Sequence, residues 1–127
     1  MRIMIVGASG IIGRAVVEEL GPRHEIVPVG RSSGDLRMDF TDAASIRAAF
    51  EQAGPIDAVV SAAGHVKFAP FATMHAADYA VGLADKLMGQ VNLVLIGREF
   101  VAEGGSFTLT TGVPALQGVI GGNRVFG

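Results

Sequence analysis

The segment Gly7-Ala8-Ser9-Gly10-Ile11-Ile12-Gly13 constrains this chain most: three glycines at three-residue intervals, set between a short β-branched run and a helical pattern. Glycine turns tightly at positive φ and lets the backbone approach a pyrophosphate. The phosphates can then rest on the helix N-terminus, where unpaired N–H groups and the macrodipole favour negative charge. In a chain with 18 glycines the spacing alone is a weak signal. Its context strengthens it, because the motif follows an N-terminal strand, opens an amphipathic helix, and precedes a second strand at βαβ distance. Gly7, Ser9, Gly10, Ile12 and Gly13 are therefore candidate cofactor-binding residues. The competing reading is tight strand-to-helix packing in an α/β domain that binds no nucleotide.

The remainder alternates in the same way, which is the signature of βαβ units around a parallel sheet. Strands are expected at Ile3 to Val6, Glu25 to Val29, Asp35 to Met38, Ala58 to Ser61 and Phe107 to Thr110. Helices are expected at Ile11 to Leu20, stopped by Gly21-Pro22, at Ala43 to Ala53, with Asp42 as N-cap, and at Ala76 to Ala102. In the last, Leu83, Leu87, Val91, Leu95 and Ile96 recur at helical spacing and read first as core, with a subunit contact as the alternative. The fold class is α/β, a Rossmann-type doubly wound parallel sheet of about five strands. Residues 1–112 form one dinucleotide-binding domain. From Gly112 to Gly127 the chain holds five glycines, few charges and no period, so 113–127 is set apart as a glycine-rich tail of unassigned structure.

Composition narrows the partners. The chain has 127 residues, half of them hydrophobic and 17% charged, against a typical charged share of about 25%, which argues for a buried core rather than disorder. A formal charge of −2 gives no long-range attraction for nucleic acid. Cysteine is absent, which removes disulfides and thiolate metal sites and fits a reducing cytoplasm. The opening apolar run breaks at Gly7, and no uninterrupted apolar stretch reaches the roughly 18 residues of a membrane span, so no membrane partner is expected. His24, His65 and His75 have no metal-ligand spacing and read as surface or loop residues, with His65 alone placed to face the nicotinamide side.

At the end of the second strand, Gly30-Arg31-Ser32-Ser33 carries no acid. A carboxylate there would bind both ribose hydroxyls of NAD, whereas the Arg31 guanidinium and the Ser32 hydroxyl suit a 2′-phosphate, so NADP(H) is expected over NAD(H). Arg31 as an ordinary solvated loop charge is the alternative. Asp39-Phe40 follows the short third strand, where Asp39 either reaches the adenine edge or, with Thr41, fixes the start of the next helix. Ala62, Ala63 and Gly64 end the fourth strand with small residues that leave room for a cofactor across the carboxyl edge of the sheet. Ser9 sits in a glycine turn rather than a nucleophile elbow, which disfavours hydrolase chemistry.

Together and in this order these motifs resemble the short-chain dehydrogenase/reductase superfamily, from Met1 to about Gly112. Ser61-Ala62-Ala63-Gly64 resembles the family's Asn-Asn-Ala-Gly segment with both asparagines replaced. Lys86 to Val94 resembles the helix that carries the catalytic asparagine, which the resemblance puts at Asn92. Gly105 to Gly112 resembles the strand ending at the catalytic serine, with Thr111 in that place. The resemblance is to a small subgroup with degenerate active-site residues, and to only the first part of a full-length member, hence a truncated fold. The family's general-acid tyrosine and the lysine four residues later have no counterpart, since the only tyrosine is Tyr79 and Lys86 lies seven residues on. The resemblance implies an NADP(H)-dependent oxidoreductase on a carbonyl or alcohol of unknown identity. An open edge on the fifth strand and uncovered apolar helix faces would further make a homo-oligomer the expectation. Against the oxidoreductase stand a non-catalytic dinucleotide-binding regulatory module and a shortened reductase product.

Overall fold

The computed structural model describes residues 1–63, 69–70, 73, 75–111 and 124–125. In chain order its elements are β1 (Arg2–Val6), α1 (Ile11–Leu20), β2 (Glu25–Gly30), β3 (Leu36–Arg37), α2 (Ala43–Ala53), β4 (Ile56–Ser61), β5 (Ala69–Pro70), α3 (Ala76–Gly82), α4 (Met88–Gly97), β6 (Val101–Thr108) and β7 (Arg124–Val125). A π-helical turn, Leu83–Leu87, joins α3 to α4. Five strands form one parallel sheet in the order β3-β2-β1-β4-β6. The strand order reverses between β1 and β4, and ligands of open α/β sheets bind at the carboxyl ends beside such a switch point. β5 and β7 pair antiparallel, which places one short piece of the 113–127 segment; the rest of that segment lies outside the described residues.

The pleat of β1 explains how both faces are covered. Met4 and Val6 point to one side and join Val27, Val29, Ile46, Phe50, Val59 and Leu93, contributed by neighbouring strands, α2 and α4. Ile3 and Ile5 point to the other, where Ala58 and the Val16, Val17 and Leu20 face of α1 cover them. A strand buried on both faces must be apolar at every position, which is why Ile3 to Val6 has no alternation. Phe50, Met4, Ile5 and Ile46 are fully buried, each stabilising the fold by roughly 1.5–3 kcal/mol. Asp42 caps α2 as expected, its carboxylate accepting from Ala44 N–H at 3.0 Å.

Four expectations are corrected. The third helix does not run from Ala76 to Ala102: it contains the π turn and stops at Gly97, where Phe100 N–H turns back onto the Gly97 carbonyl. The last strand accordingly starts at Val101 and ends at Thr108 rather than spanning Phe107 to Thr110, and β3 is only Leu36–Arg37. The stripe of Leu83, Leu87, Val91 and Leu95 is not core, with Leu83 55%, Leu87 51% and Leu95 46% exposed. Gly89, Leu93 and Gly97 face the sheet instead. A Cβ on Gly89 would meet the Phe40 ring at 2.5 Å, and one on Gly97 the Phe50 ring at 2.7 Å and the Phe107 ring at 2.9 Å, so three phenylalanines fill the space and only glycine lets the helix approach. Ile96 alone of that stripe packs against the core cluster.

By length and composition the 22-residue helical run Ala76–Gly97, mean hydropathy 1.2, is long and apolar enough to cross a membrane. Only 18% of that window is buried, and its Gly89-Leu93-Gly97 line is the part that lies on the sheet.

Candidate functional site

The three glycines of the turn differ in what the fold asks of them. Gly7 has φ +83°, and a Cβ there would stand 2.8 Å from the backbone of Ala62 and Ala63. Its N–H donates to the Val29 carbonyl at 2.8 Å, locking the turn to β2. A Cβ on Gly13 would lie 1.9 Å from the Gly7 carbonyl oxygen, so this glycine lets α1 pack on β1. Gly10 is unlike both, because its nearest neighbour would be the Gly7 oxygen at an ordinary 3.5 Å. Internal packing therefore requires glycine at 7 and 13 but not at 10, whose open side is where a ligand backbone would approach. Helix α1 begins there with no side-chain cap and no acid in its first turn, leaving its N–H groups and dipole directed at the mouth of the turn. Ile12, in the same first turn, is exposed.

The loop after β2 presents Arg31 and Ser32 to solvent. Ser33, in the motif but not among its candidate residues, donates its hydroxyl to Ser9 Oγ at 3.0 Å and ties this loop to the glycine turn.

Beyond β3, one oxygen of Asp39 accepts from both the Thr41 N–H at 2.9 Å and the Thr41 hydroxyl at 2.6 Å, while the Asp39 N–H donates to Ser45 Oγ at 2.9 Å. The Thr41 bonds, with a smaller contribution from the Arg31 charge, hold the Asp39 carboxyl below its ordinary value. Phe40 is buried with its ring against Gly89. These pieces enclose a cavity of about 250 Å³ lined by Val6, Gly7, Gly30, Arg31, Met38, Asp39, Phe40, Ala63 and Asp85. Four strand ends and the π turn supply its walls. Of the residues marked in the sequence, Gly7, Arg31, Asp39, Phe40 and Ala63 come together here. Asp85 was missed, since nothing in the sequence marks a π turn.

At the other end of the carboxyl edge, Ala62 N–H donates to the Val6 carbonyl at 2.8 Å. The Thr110 hydroxyl donates to the Ser61 carbonyl oxygen. The Gln90 carboxamide clamps Thr110 from α4, accepting from its N–H at 3.0 Å and donating to its carbonyl at 3.1 Å. Ser61 Oγ is buried without a hydrogen-bond partner among the described residues. Thr111 follows this clamp and is exposed, whereas Asn92 is half-buried on α4 and is not part of the cavity wall. Gly64 and His65 lie outside the described residues. Tyr79 lies in α3 and Lys86 in the π turn, both half-buried. His75 N-caps α3, with the Asp78 carboxylate reaching back to its N–H at 2.9 Å. No group of three metal-ligating side chains occurs among the described residues.

A parallel sheet in this order, with a glycine turn at the switch point, is a Rossmann-type fold. The chain belongs to the family described as RmlD substrate binding domain, whose model matches residues 1–85, from β1 through the cavity wall at Asp85. No curated protein matches the chain. Among solved structures it is similar to the protein lin1944 from Listeria innocua, at 42% identity and TM-score 0.90, covering 94% of this chain and 60% of that one. It shares its fold with a small-chain dehydrogenase in complex with NADPH, at 22% identity and TM-score 0.83, covering 97% of this chain and 55% of that one. A short-chain dehydrogenase/reductase from Brucella melitensis, of the glucose/ribitol dehydrogenase kind, matches at 22% identity and TM-score 0.83, covering 96% and 60%. The chain thus spans about 60% of the length of these structures.

Proposed function

We propose that this chain is the dinucleotide-binding part of a short-chain dehydrogenase/reductase-like protein, and that its cofactor is NADP(H). The observation that carries the reading is the contrast within the glycine turn: Gly7 and Gly13 are demanded by the fold, while Gly10 is left open at the uncapped N-terminus of α1. A pyrophosphate there would take the α1 N–H groups, the adenosine would lie in the cavity beside Asp39 and Phe40, and Arg31 and Ser32 would meet the 2′-phosphate. A structural neighbour was solved in complex with NADPH, which supports nicotinamide dinucleotide binding by this fold. Ala62 and Ala63 would floor the path toward the nicotinamide, with Gly64 beyond them.

The reaction class we propose is hydride exchange with a carbonyl or alcohol in the cytoplasm. Asn92 and Thr111 are its candidate catalytic residues. Within these 127 residues the tyrosine and lysine pair that would supply the proton is missing, so the chain by itself binds cofactor without turning over a ketone. The exposed Leu83, Leu87 and Leu95 face supports a homo-oligomer. Calorimetric titration with NADPH and NADH, followed by a carbonyl-substrate screen, tests the reading: NADPH binding tighter than NADH is expected, and no heat with either would overturn it.

A further inference from the structure

Strand β6 ends at Thr108, whose ladder partner on β4 is Val60. Beyond that pair, contact between β4 and the chain after β6 depends on a side chain: the Thr110 hydroxyl donates to the Ser61 carbonyl oxygen, one residue past the ladder. On the opposite side Ala62 N–H donates to the Val6 carbonyl of β1 at 2.8 Å. Ser61 adds no anchor of its own, since its hydroxyl is buried without a partner among the described residues. Toward β6, therefore, the end of β4 rests on Thr110.

Thr110 stands outside the ladder and takes its backbone partners from a helix. The Gln90 carboxamide accepts from the Thr110 N–H at 3.0 Å and donates to the Thr110 carbonyl at 3.1 Å, so one side chain satisfies both main-chain groups. Gln90 is half-buried in the first turn of α4, next to Gly89, which lies against the Phe40 ring of the cavity wall. Helix packing thus sets where Gln90 sits, and Gln90 sets where Thr110 sits. A group carried on a packed helix is placed more precisely than one on a loop.

What this relay fixes is the backbone that follows Ser61. Ala63 lines the cavity, and the peptide joining Ala62 to Ala63 would stand 2.8 Å from a Cβ on Gly7, against the glycine turn. A dinucleotide whose pyrophosphate lies at that turn passes over this peptide toward its nicotinamide. We propose that Gln90 is a positioning residue for the nicotinamide end of the cofactor, acting through Thr110 and the Ser61 carbonyl on the Ala62-Ala63 floor. The proposal rests on the dinucleotide reading above. Arg31, Ser32 and Asp39 serve the adenosine end in that reading, so loss of the relay leaves that end in place.

The test is calorimetric titration of the full chain with NADPH and with adenosine 2′,5′-bisphosphate, which carries the adenosine end and no nicotinamide. The variants separate the links of the relay. Gln90→Met keeps the length and helix propensity of Gln but cannot donate. Thr110→Val keeps the shape of Thr without its hydroxyl, and Thr110→Ser keeps the hydroxyl. Gln90→Met and Thr110→Val are expected to weaken NADPH about fivefold, the worth of one net hydrogen bond, and to leave the bisphosphate unchanged. Thr110→Ser is expected to bind both ligands as the parent does. Equal weakening of both ligands marks structural damage and overturns the proposal. Unchanged NADPH affinity in the folded variants overturns it, as does a Thr110→Ser variant that behaves like Thr110→Val. A parent that binds NADPH no more tightly than the bisphosphate overturns it too, while the adenosine and phosphate part of the cofactor reading stands. If the parent binds neither ligand, the cofactor reading itself fails and this one falls with it.

Discussion

Ser33 Oγ lies 3.0 Å from Ser9 Oγ, so the loop that carries Arg31 is hydrogen-bonded to the glycine turn. The two parts of the site that would meet the adenosine phosphates are thereby held as one unit, although they are 24 residues apart in sequence. Ordering the loop before a ligand arrives lowers the entropic cost of binding.

The Arg31 assignment predicts a change of cofactor. Arg31→Asp should cost about tenfold in NADPH affinity and bring NADH binding level with it or above it, because a carboxylate repels the 2′-phosphate and accepts from ribose hydroxyls. Titration of both cofactors checks this. Parent affinities that are equal, and unaltered by the substitution, would refute the role of Arg31.

Gly13 makes a prediction about stability rather than binding. With a Cβ 1.9 Å from the Gly7 carbonyl oxygen, Gly13→Val has to push α1 off the sheet. Overpacking of this kind costs about 1–3 kcal/mol or more, and a domain of this size loses about 4 °C of Tm per kcal/mol. Thermal unfolding followed by circular dichroism should show a fall of about 4–12 °C or more. An unchanged Tm would contradict the packing role given to this glycine.

The Asp39 carboxyl sets a pH dependence. Its native pKa is lowered from 3.8, chiefly by the Thr41 hydroxyl and N–H. A depressed carboxyl contributes stability that is fully present above the unfolded pKa and is lost as pH falls through the native pKa. Thr41→Val removes the hydroxyl donor, so the Asp39 titration should move up toward 3.8 and acid unfolding should begin at higher pH. Carbon-detected NMR titration of the side-chain carboxyl reads the shift directly, and an identical titration in the variant would remove Thr41 as its cause.

The exposed apolar face predicts association. Leu83, Leu87, Met88, Val91 and Leu95 leave a continuous stripe uncovered along the π turn and α4. Light scattering at micromolar concentration should find the chain larger than a monomer, and a Leu87→Glu, Leu95→Glu double variant should reduce it to one. A stable parent monomer defeats this. In the same preparation, ketone-dependent oxidation of NADPH should be absent, since general acid catalysis worth about 10²–10⁴ in rate has no donor.

Local signals in the sequence reached far into the fold. The bounds of α1 and α2 are those expected from periodicity, Gly21 and the Asp42 cap, and the glycine turn sits where its context placed it. What stayed hidden depends on tertiary packing. The leucine stripe had the right period for core, but the phenylalanines at 40, 50 and 107 fill the space beneath α4 and accept only glycine, which inverts the helix. The π turn leaves no mark in composition, so Asp85 reached the cavity unannounced. The Gln90 clamp on Thr110 joins residues 20 apart whose types carry no motif.

The central claim is that the open side of Gly10 receives a dinucleotide pyrophosphate, and NADPH affinity in Gly10→Val measured beside the parent tests it most directly. A Cβ at position 10 meets nothing closer than 3.5 Å within the protein, so the variant should keep its circular dichroism spectrum and thermal transition. The same side chain stands in the path of the phosphates, so NADPH binding should disappear. A folded Gly10→Val variant that binds NADPH as tightly as the parent would contradict the account.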